Sequence, residues 1–203
     1  MVTNNLDKIF DFLHLVGNLK KTKRYENYDI EADSSADHSW RVALMTFIIA
    51  EEINLNLNVL RAVKIALVHD LPEAITGDIN YMKIANGEVS KRDKEKMEKN
   101  AMKRFKKMLP KKIGEEIYEL WQEYEDGESK EALFVKALDK IETVSHAIEN
   151  GIKYTDLDVI ATYSNKHVNN FIQLKDVSRV LKKRLKKEFE RKNLVWKKEY
   201  MDD

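Results

Sequence analysis

The sequence predicts an all-α protein, a single-domain helical bundle. Hydrophobic residues make up 43% of the chain and charged residues 35%, a balance that favours helices with charged outer faces. Only 6 Gly and 2 Pro are present among the 203 residues, too few for a turn-rich all-β architecture. Apolar residues also recur at helical spacing in most segments, so we expect helices packed on helices.

The first two helices are predicted on either side of a polar loop. Residues 5–20 form the first helix, and a polar loop then ends in Ser34-Ser35-Ala36-Asp37. A serine N-cap with an acidic first turn predicts the start of the second helix, which we expect to run to about Asn54. The apolar spacing of the first helix predicts one inner face, formed by Leu6, Ile9, Phe10, Leu13 and Val16.

The second helix, "WRVALMTFIIAEEI", and the third, "VLRAVKIALVHD", are apolar on nearly every face. This pattern predicts that they are the central pair of the bundle. Pro72 biases Leu71 away from helical geometry, so the third helix should end near Asp70 and a short turn should restart at Pro72-Glu73. An unpaired Asp70 at a helix C-terminus would face the negative end of the helix dipole. Something must offset that cost.

The remaining segments predict surface and C-terminal helices. A charged helix after the loop at Asn86-Gly87 has an inner stripe from Met97 to Met108 and ends before Pro110. Helices at 112–124 and 129–149 follow, separated at Asp126-Gly127, and Asn150-Gly151 is a C-cap signal. Two final helices lie within 164–192. We assign residues 1–203 to one domain, with the site in a core of about 24–150 and C-terminal helices at about 151–203.

Composition narrows the compartment and the partners. The 36 basic and 35 acidic residues give a formal charge of +1, so global charge does not indicate nucleic acid or a membrane surface. No stretch reaches the ~18 apolar residues of a membrane span. The absence of cysteine excludes disulfides and thiolate metal sites. We expect a cytoplasmic protein, and the basic segment "SRVLKKRLKKEFERK" favours a solvated outer face over nucleic-acid binding.

Four residues of metal-ligand type stand out, namely His38, His69, Asp70 and Asp139. Asp139, in "KALDKIE", lies on an otherwise apolar helix face, where an unpaired carboxylate is costly. One divalent cation would stabilise Asp70 and Asp139 together, and two neutral imidazoles would complete its shell. This ligand set accepts Mn, Co, Zn, Fe, Ni or Mg. For His69-Asp70 alone, a structural hydrogen bond is the alternative interpretation.

The strings "ADHSW", "LVHDLPEA" and "KALDKIE" occur in that order over about residues 24–142. This order resembles the HD-domain metal-dependent phosphohydrolase superfamily, and "HDLPEAITGDI" is similar to its small 5′-deoxynucleotidase branch. The resemblance implies that Glu73 and Asp78 belong to the site and that Arg24 contacts a nucleotide phosphate. It also implies a homodimer, for which the helices after Gly151 offer an interface. Dinuclear members of that superfamily carry additional histidines in the interval between His69 and His146, where this sequence has none, so the resemblance implies one metal.

The predicted function is removal of phosphate from (deoxy)nucleoside 5′-monophosphates. A bound metal would activate water and counter phosphoryl charge, and Glu73 would act on the water or on the departing sugar oxygen. Simpler roles remain open: a favourable acid in a first helical turn for Glu73, an Asx turn for Asp78 and a helix C-terminal cation for Arg24. The functional alternatives are guanosine tetraphosphate hydrolysis and a non-catalytic regulatory protein that binds metal and nucleotide. Guanosine tetraphosphate hydrolases of this superfamily usually have an adjacent Glu-Asp after the HD pair. In this sequence Glu73 is instead followed by Ala74.

Overall fold

The computed structural model describes residues 2–24, 33–79, 83–84, 87–150 and 157–201. Within these ranges the regular elements are helices, apart from one isolated β-bridge between Lys23 and Ser34. The prediction of an all-α protein is confirmed. In the same ranges, every helix is too short or too polar to cross a bilayer.

The α-helices follow one another without long connections in most of the chain. They are α1 (Val2–Val16), α2 (Ser35–Glu52), α3 (Val59–Val68), α4 (Glu73–Thr76), α5 (Lys91–Met108), α6 (Lys111–Asp126), α7 (Lys130–Asn150), α8 (Leu157–Thr162), α9 (Asn165–Asn170) and α10 (Lys175–Arg191). Short 3-10 helices lie at Gly17–Lys20, Ile172–Leu174 and Lys198–Tyr200.

Local signals placed several helix ends correctly. Ser34 caps α2: its side chain accepts a hydrogen bond from the Asp37 N–H, and the Asp37 carboxylate accepts one from the Ser34 N–H. The predicted break at Pro72 separates α3 from α4. Gly127 ends α6 in the left-handed region, with φ of 63°. The predicted C-cap at Gly151 lies outside the described residues.

Helix α7 is the centre of the bundle. It packs against α2, α3, α6, α8, α9 and α10, and Phe134, Leu138 and Ile141 on it are at most 2% exposed. The prediction that α2 and α3 are the central pair is therefore confirmed only in part. They pack on each other and on α7, but their outer faces leave Trp40 63% exposed and Leu67 50% exposed.

The predicted inner face of α1 is also wrong in part. Leu6, Phe10 and Leu13 are exposed, while Phe12, which lies outside the predicted set, is buried. The ring of Phe12 packs edge-on against Phe105 of α5, with the ring centroids 5.5 Å apart. The rotation of α1 is set by this contact with α5, and the apolar spacing of α1 alone does not reveal it.

The C-terminal helices α9 and α10 lie within the predicted range 164–192. On α10, Leu181, Leu185 and Phe189 are buried, as their spacing predicts. Helix α8 and the 3-10 helix Lys198–Tyr200 were not predicted. The latter places Tyr200 edge-on against Phe189, with the ring centroids 5.9 Å apart, and so ties the end of the described chain to α10.

Candidate metal centre

The four predicted ligands come from three elements that meet inside the bundle. His38 lies in the first turn of α2, His69 and Asp70 follow α3, and Asp139 lies in the middle of α7. Nε2 of His38 is 3.4 Å from Nε2 of His69 and 3.2 Å from Oδ1 of Asp139. Oδ2 of Asp70 is 3.3 Å from Nε2 of His69 and 3.7 Å from Nε2 of His38. The structure therefore brings all four side chains together.

These donor atoms have the spacing of a divalent metal shell. Ligand atoms that bind zinc at about 2.0–2.1 Å lie roughly 3.3 Å apart in a tetrahedral arrangement. His38, His69 and Asp139 are buried, and their nitrogen and oxygen atoms form a compact group of metal-binding type. Two imidazole Nε2 atoms that face each other need a cation or a proton between them and the carboxylates. The residues fit one divalent ion.

The outward nitrogen of each imidazole is held by a hydrogen bond. Nδ1 of His69 is 2.7 Å from the carbonyl oxygen of Ala66, which fixes the tautomer that donates from Nδ1. Nδ1 of His38 lies 2.5 Å from Oε2 of Glu142, a carboxylate that is 1% exposed. Both contacts leave Nε2 directed at the centre, the arrangement that orients metal-binding histidines in proteins.

Asp139 is held in the same way through one of its two oxygens. Its Oδ2 accepts hydrogen bonds from Oη of Tyr124 at 2.7 Å and from Nζ of Lys140 at 2.8 Å. Its Oδ1 remains directed at His38. The ring of Tyr124 also packs against the ring of His69, with the centroids 5.0 Å apart. Tyr124 therefore supports two of the predicted ligands.

Sequence analysis did not assign these supporting residues. Glu142 had a usable signal, since it lies three residues after Asp139 on the same helix, in "KALDKIE". Lys140 directly follows Asp139, although charged residues beside a buried carboxylate are common. Tyr124 had no signal, because it lies on α6 and its contact with Asp139 depends on how α6 and α7 pack.

The surrounding charges strongly shift the pKa values of this group. Burial and Arg24 lower the pKa of His38, but hydrogen bonds with Asp139 and Glu142 outweigh them and raise it to about 9. Burial raises the pKa of Asp139, yet Lys140 and His38 hold it well below its usual range. The ionised carboxylates thus favour positive charge at the centre, as a metal site requires.

Glu73 lies next to this centre at the start of α4 and is buried. Its Oε2 accepts a hydrogen bond of 2.6 Å from Oγ of Ser35. Burial, followed by the nearby charges of Asp70 and Asp78, raises the pKa of Glu73 well above its usual value. Burial likewise raises the pKa of Asp78. A carboxyl group with a raised pKa is suited to carry a proton in a reaction.

Arg24 lies on the other side of His38 and is strongly engaged. Its guanidinium contacts Oδ2 of Asp33 and Oε2 of Glu142, both at 3.3 Å, and donates to Oγ1 of Thr143 at 3.2 Å. Asp33, His38 and Glu142 form a second group of metal-binding type. Arg24 already supplies positive charge to Asp33 and Glu142, the two carboxylates of this second group. The group of His38, His69 and Asp139 is therefore the stronger candidate for a metal site.

A cavity of about 520 Å³ opens on the centre. This volume is within the range of small-molecule sites in proteins. The predicted site residues all line it: Arg24, His38, His69, Asp70, Glu73, Asp78 and Asp139. Helices α5, α6 and α7, the loop after α4 and the residue that follows α8 supply the rest of its wall, including Ile79, Ile84, Lys91, Lys94, Tyr124, Lys136, Lys140 and Tyr163.

Fold and site together define a helical protein with a two-histidine, two-aspartate centre at the base of a cavity. Residues 16–192 match the family described as HD domain, and the chain belongs to this family. It is 40% identical over 154 residues to the 5′-deoxynucleotidase HDDC2 of Homo sapiens, which covers 74% of this chain and 70% of the relative. It is 36% identical over 153 residues to the 5′-deoxynucleotidase hdd1 of Schizosaccharomyces pombe, covering 72% of this chain and 74% of the relative.

Solved structures share the fold. A predicted metal-dependent phosphohydrolase from Magnetospirillum magnetotacticum MS-1 superposes with a TM-score of 0.75 at 25% identity and covers 95% of this chain and 100% of its own. The HD phosphohydrolase DatZ of cyanophage S-2L, solved with dA and one catalytic Zn²⁺, gives a TM-score of 0.58 at 20% identity and covers 88% and 94%. The predicted resemblance to the 5′-deoxynucleotidase branch is confirmed by the relatives.

Proposed function

We propose that this chain is a metal-dependent phosphohydrolase that removes phosphate from deoxynucleoside 5′-monophosphates. The convergence of His38, His69, Asp70 and Asp139 at the base of a nucleotide-sized cavity is the observation that carries the proposal. The relatives named 5′-deoxynucleotidases support the reaction and its substrate class.

His38, His69, Asp70 and Asp139 would hold one divalent ion, drawn from Mn, Co, Zn, Fe, Ni and Mg. When bound, such an ion lowers the pKa of water and counters negative charge on a phosphoryl group. Glu142 and Ala66 keep the imidazoles in the tautomers that direct Nε2 to the centre. These contacts let the protein present its donors without rearrangement.

We assign the proton transfer to Glu73. Glu73 is buried beside the centre, and burial raises its pKa, which suits a group that passes a proton to the sugar oxygen as the phosphate ester is cleaved. Ser35 holds one carboxyl oxygen and so limits the orientations of the group. Arg24 and Asp78 line the same cavity and are assigned to the nucleotide, Arg24 on the phosphate side.

We infer that the protein is a homodimer and that a second copy covers the outer face of α2. Large apolar side chains are exposed there, and contiguous apolar patches on a protein surface mark interaction sites. The helices after Gly151, which the sequence favoured, expose Val180 at 54% on α10. Val159 and Ile172, on two other elements of that segment, are 44% and 52% exposed. On α2 the exposed apolar side chains all lie on one helix, with Trp40 at 63%, Leu44 at 41%, Phe47 at 51% and Ile48 at 52% exposure. A cytoplasmic location and the division into a core and C-terminal helices stay predictions.

The function is tested by a panel of nucleotides combined with a panel of metals. Purified protein is stripped with a chelator, reloaded with Mn²⁺, Co²⁺, Zn²⁺ or Mg²⁺, and assayed for phosphate release. We expect release from deoxynucleoside monophosphates that depends on added metal. Tight nucleotide binding without turnover under every metal would instead indicate a regulatory protein, and turnover confined to guanosine tetraphosphate would indicate the other hydrolase.

A further inference from the structure

The cavity next to the metal centre is lined by several cations, and most of them are paired with neighbouring carboxylates. In the part of the chain that the structure describes, four have carboxylate partners: Arg24 with Asp33 and Glu142 at 3.3 Å, Lys91 with Glu95 at 3.8 Å, Lys94 with Glu98 at 3.5 Å and Lys140 with Asp139 at 2.8 Å. In each pair the carboxylate offsets part of the positive charge that the cation offers to an anionic ligand.

Lys136 differs from the other cavity cations. It lines the cavity from α7, and within the described ranges it has no carboxylate at salt-bridge distance. Its Nζ lies 4.3 Å above the ring centroid of Tyr124, a contact that leaves the ammonium donors available. Burial lowers the pKa of Lys136, a sign that its surroundings leave the charge incompletely stabilised.

The side chain of Lys136 is held in place by packing. A Cβ atom built on Gly127 would lie only 2.9 Å from Cε of Lys136, so the lysine stem passes directly over this glycine. The Tyr124 ring supports the ammonium group on the other side. A lysine constrained in this way loses less side-chain entropy when it binds an anion than a freely moving one does.

The position of Lys136 relates it to the reaction centre. It lies three residues before Asp139 on α7, which is about 4.5 Å along the helix axis. Tyr124, which supports the Lys136 ammonium group, donates its hydroxyl to Oδ2 of Asp139 at 2.7 Å. The unpaired cation and the candidate metal ligand therefore share one wall of the cavity and one supporting side chain.

The charges at this wall call for such a cation. Asp70 and Asp139 would balance a divalent ion, and Lys140 adds one positive charge beside Asp139, so a phosphate ester that carries two negative charges still needs further positive charge. We propose that Lys136 binds the phosphate group of the substrate. This inference rests on the proposed function and adds a phosphate contact on α7, across from the one predicted at Arg24. Its competitor is a purely structural lysine packed on Tyr124.

The test compares Lys136→Met, which keeps an apolar stem, with Lys136→Arg, which keeps the charge. Lys130→Met is the matched control, because Lys130 begins the same helix α7 but does not line the cavity. Calorimetry on Mn²⁺-loaded protein measures the binding of inorganic phosphate and of a deoxynucleoside without phosphate. Initial rates with a deoxynucleoside monophosphate give KM and kcat.

We expect Lys136→Met to weaken phosphate binding and raise KM by about tenfold or more, the usual effect of losing a hydrogen bond to a charged group. Deoxynucleoside binding should not change, Lys136→Arg should restore most of the loss, and Lys130→Met should match the wild type. Unchanged phosphate binding in Lys136→Met would overturn the proposal, and so would an equal loss of deoxynucleoside binding. If the wild type binds phosphate through Lys136 yet never hydrolyses a nucleotide, the proposed function fails while the Lys136 assignment stands.

Discussion

At the scale of single residues, the candidate centre depends on side chains that each use one atom for support and one for the site. His38 gives Nδ1 to Glu142 and keeps Nε2 for the centre. Asp139 gives Oδ2 to Tyr124 and keeps Oδ1. Because both supporting groups are buried, the donors are oriented before any ligand binds, and this preorganisation should appear directly in metal affinity.

Replacing Glu142 with glutamine tests this orientation. Glu142→Gln keeps the size of the side chain but removes the negative charge beside His38, and we expect metal affinity to fall by about 10–100-fold. The matched control is Glu149→Gln on the same helix, where the carboxylate pairs with Arg41 at 2.6 Å and is half exposed. Competition with a fluorescent chelator measures both variants. Equal metal affinity in the two variants would show that Glu142 does not help to hold the metal ligand His38 in place.

Replacing Glu73 tests the assigned proton transfer. Glu73→Gln should preserve metal loading and nucleotide affinity but reduce the rate of phosphate release by roughly 10²–10⁴-fold, the usual range for a positioned acid or base. If Glu73 only favours the first turn of α4, the change should alter stability by about 1 kcal/mol or less and leave the rate nearly intact. Near-normal turnover in the metal-loaded variant would therefore refute the assignment.

At the scale of elements, local sequence signals determined helix ends, and packing determined helix rotation. The Ser34 cap and the Pro72 break act within a few residues, so the sequence predicts them. The rotation of α1 depends on the contact between Phe12 and Phe105, which lie far apart in the chain. The hydrogen bond from Tyr124 to Asp139 likewise depends on how two helices pack, so the sequence does not predict it. The metal ligands could be predicted because a buried charge is conspicuous in an apolar segment, whereas a buried tyrosine is ordinary.

The cap of α2 should influence the metal centre, because His38 lies in the first turn of that helix. Ser34→Ala removes the hydrogen bond to the Asp37 N–H and should destabilise the protein by about 1 kcal/mol. Ser90→Ala removes the equivalent cap of α5, where the serine accepts from the Asp93 N–H at 3.0 Å. Both variants should unfold more readily in denaturant. Only Ser34→Ala should also weaken metal binding. Equal metal affinity in both variants would show that the cap of α2 does not influence the metal centre.

At the scale of the whole molecule, α7 organises the protein, and the outer face of α2 is left without a partner in the described residues. Apolar residues on all sides of α2 suggested a central helix, because a sequence does not distinguish burial in a core from burial in an assembly. The α2 face includes Trp40, Leu44, Phe47 and Ile48. A second copy of the chain would bury it, which explains the pattern without a central position for α2.

Charge substitutions distinguish the two candidate dimer surfaces. Phe47→Glu places a charge in the α2 face, and we expect it to convert the dimer to a monomer at micromolar concentration in light scattering. Val180→Glu places the same charge on the exposed side of α10 and should leave the dimer intact. A wild-type protein that is monomeric would refute the inferred dimer. A monomer produced only by Val180→Glu would show that the interface lies on the helices after Gly151 and not on α2.

The central claim is that His38, His69, Asp70 and Asp139 hold the metal that this chain needs to hydrolyse nucleotides. Phosphate release from a deoxynucleoside 5′-monophosphate by Asp139→Ala, compared with the wild type at the same total metal concentration, tests it most directly. Asp139→Ala removes one charged ligand but little core volume, so the helical signal should persist while metal occupancy falls and turnover is lost. A metal-loaded Asp139→Ala protein that releases phosphate as fast as the wild type would contradict the claim.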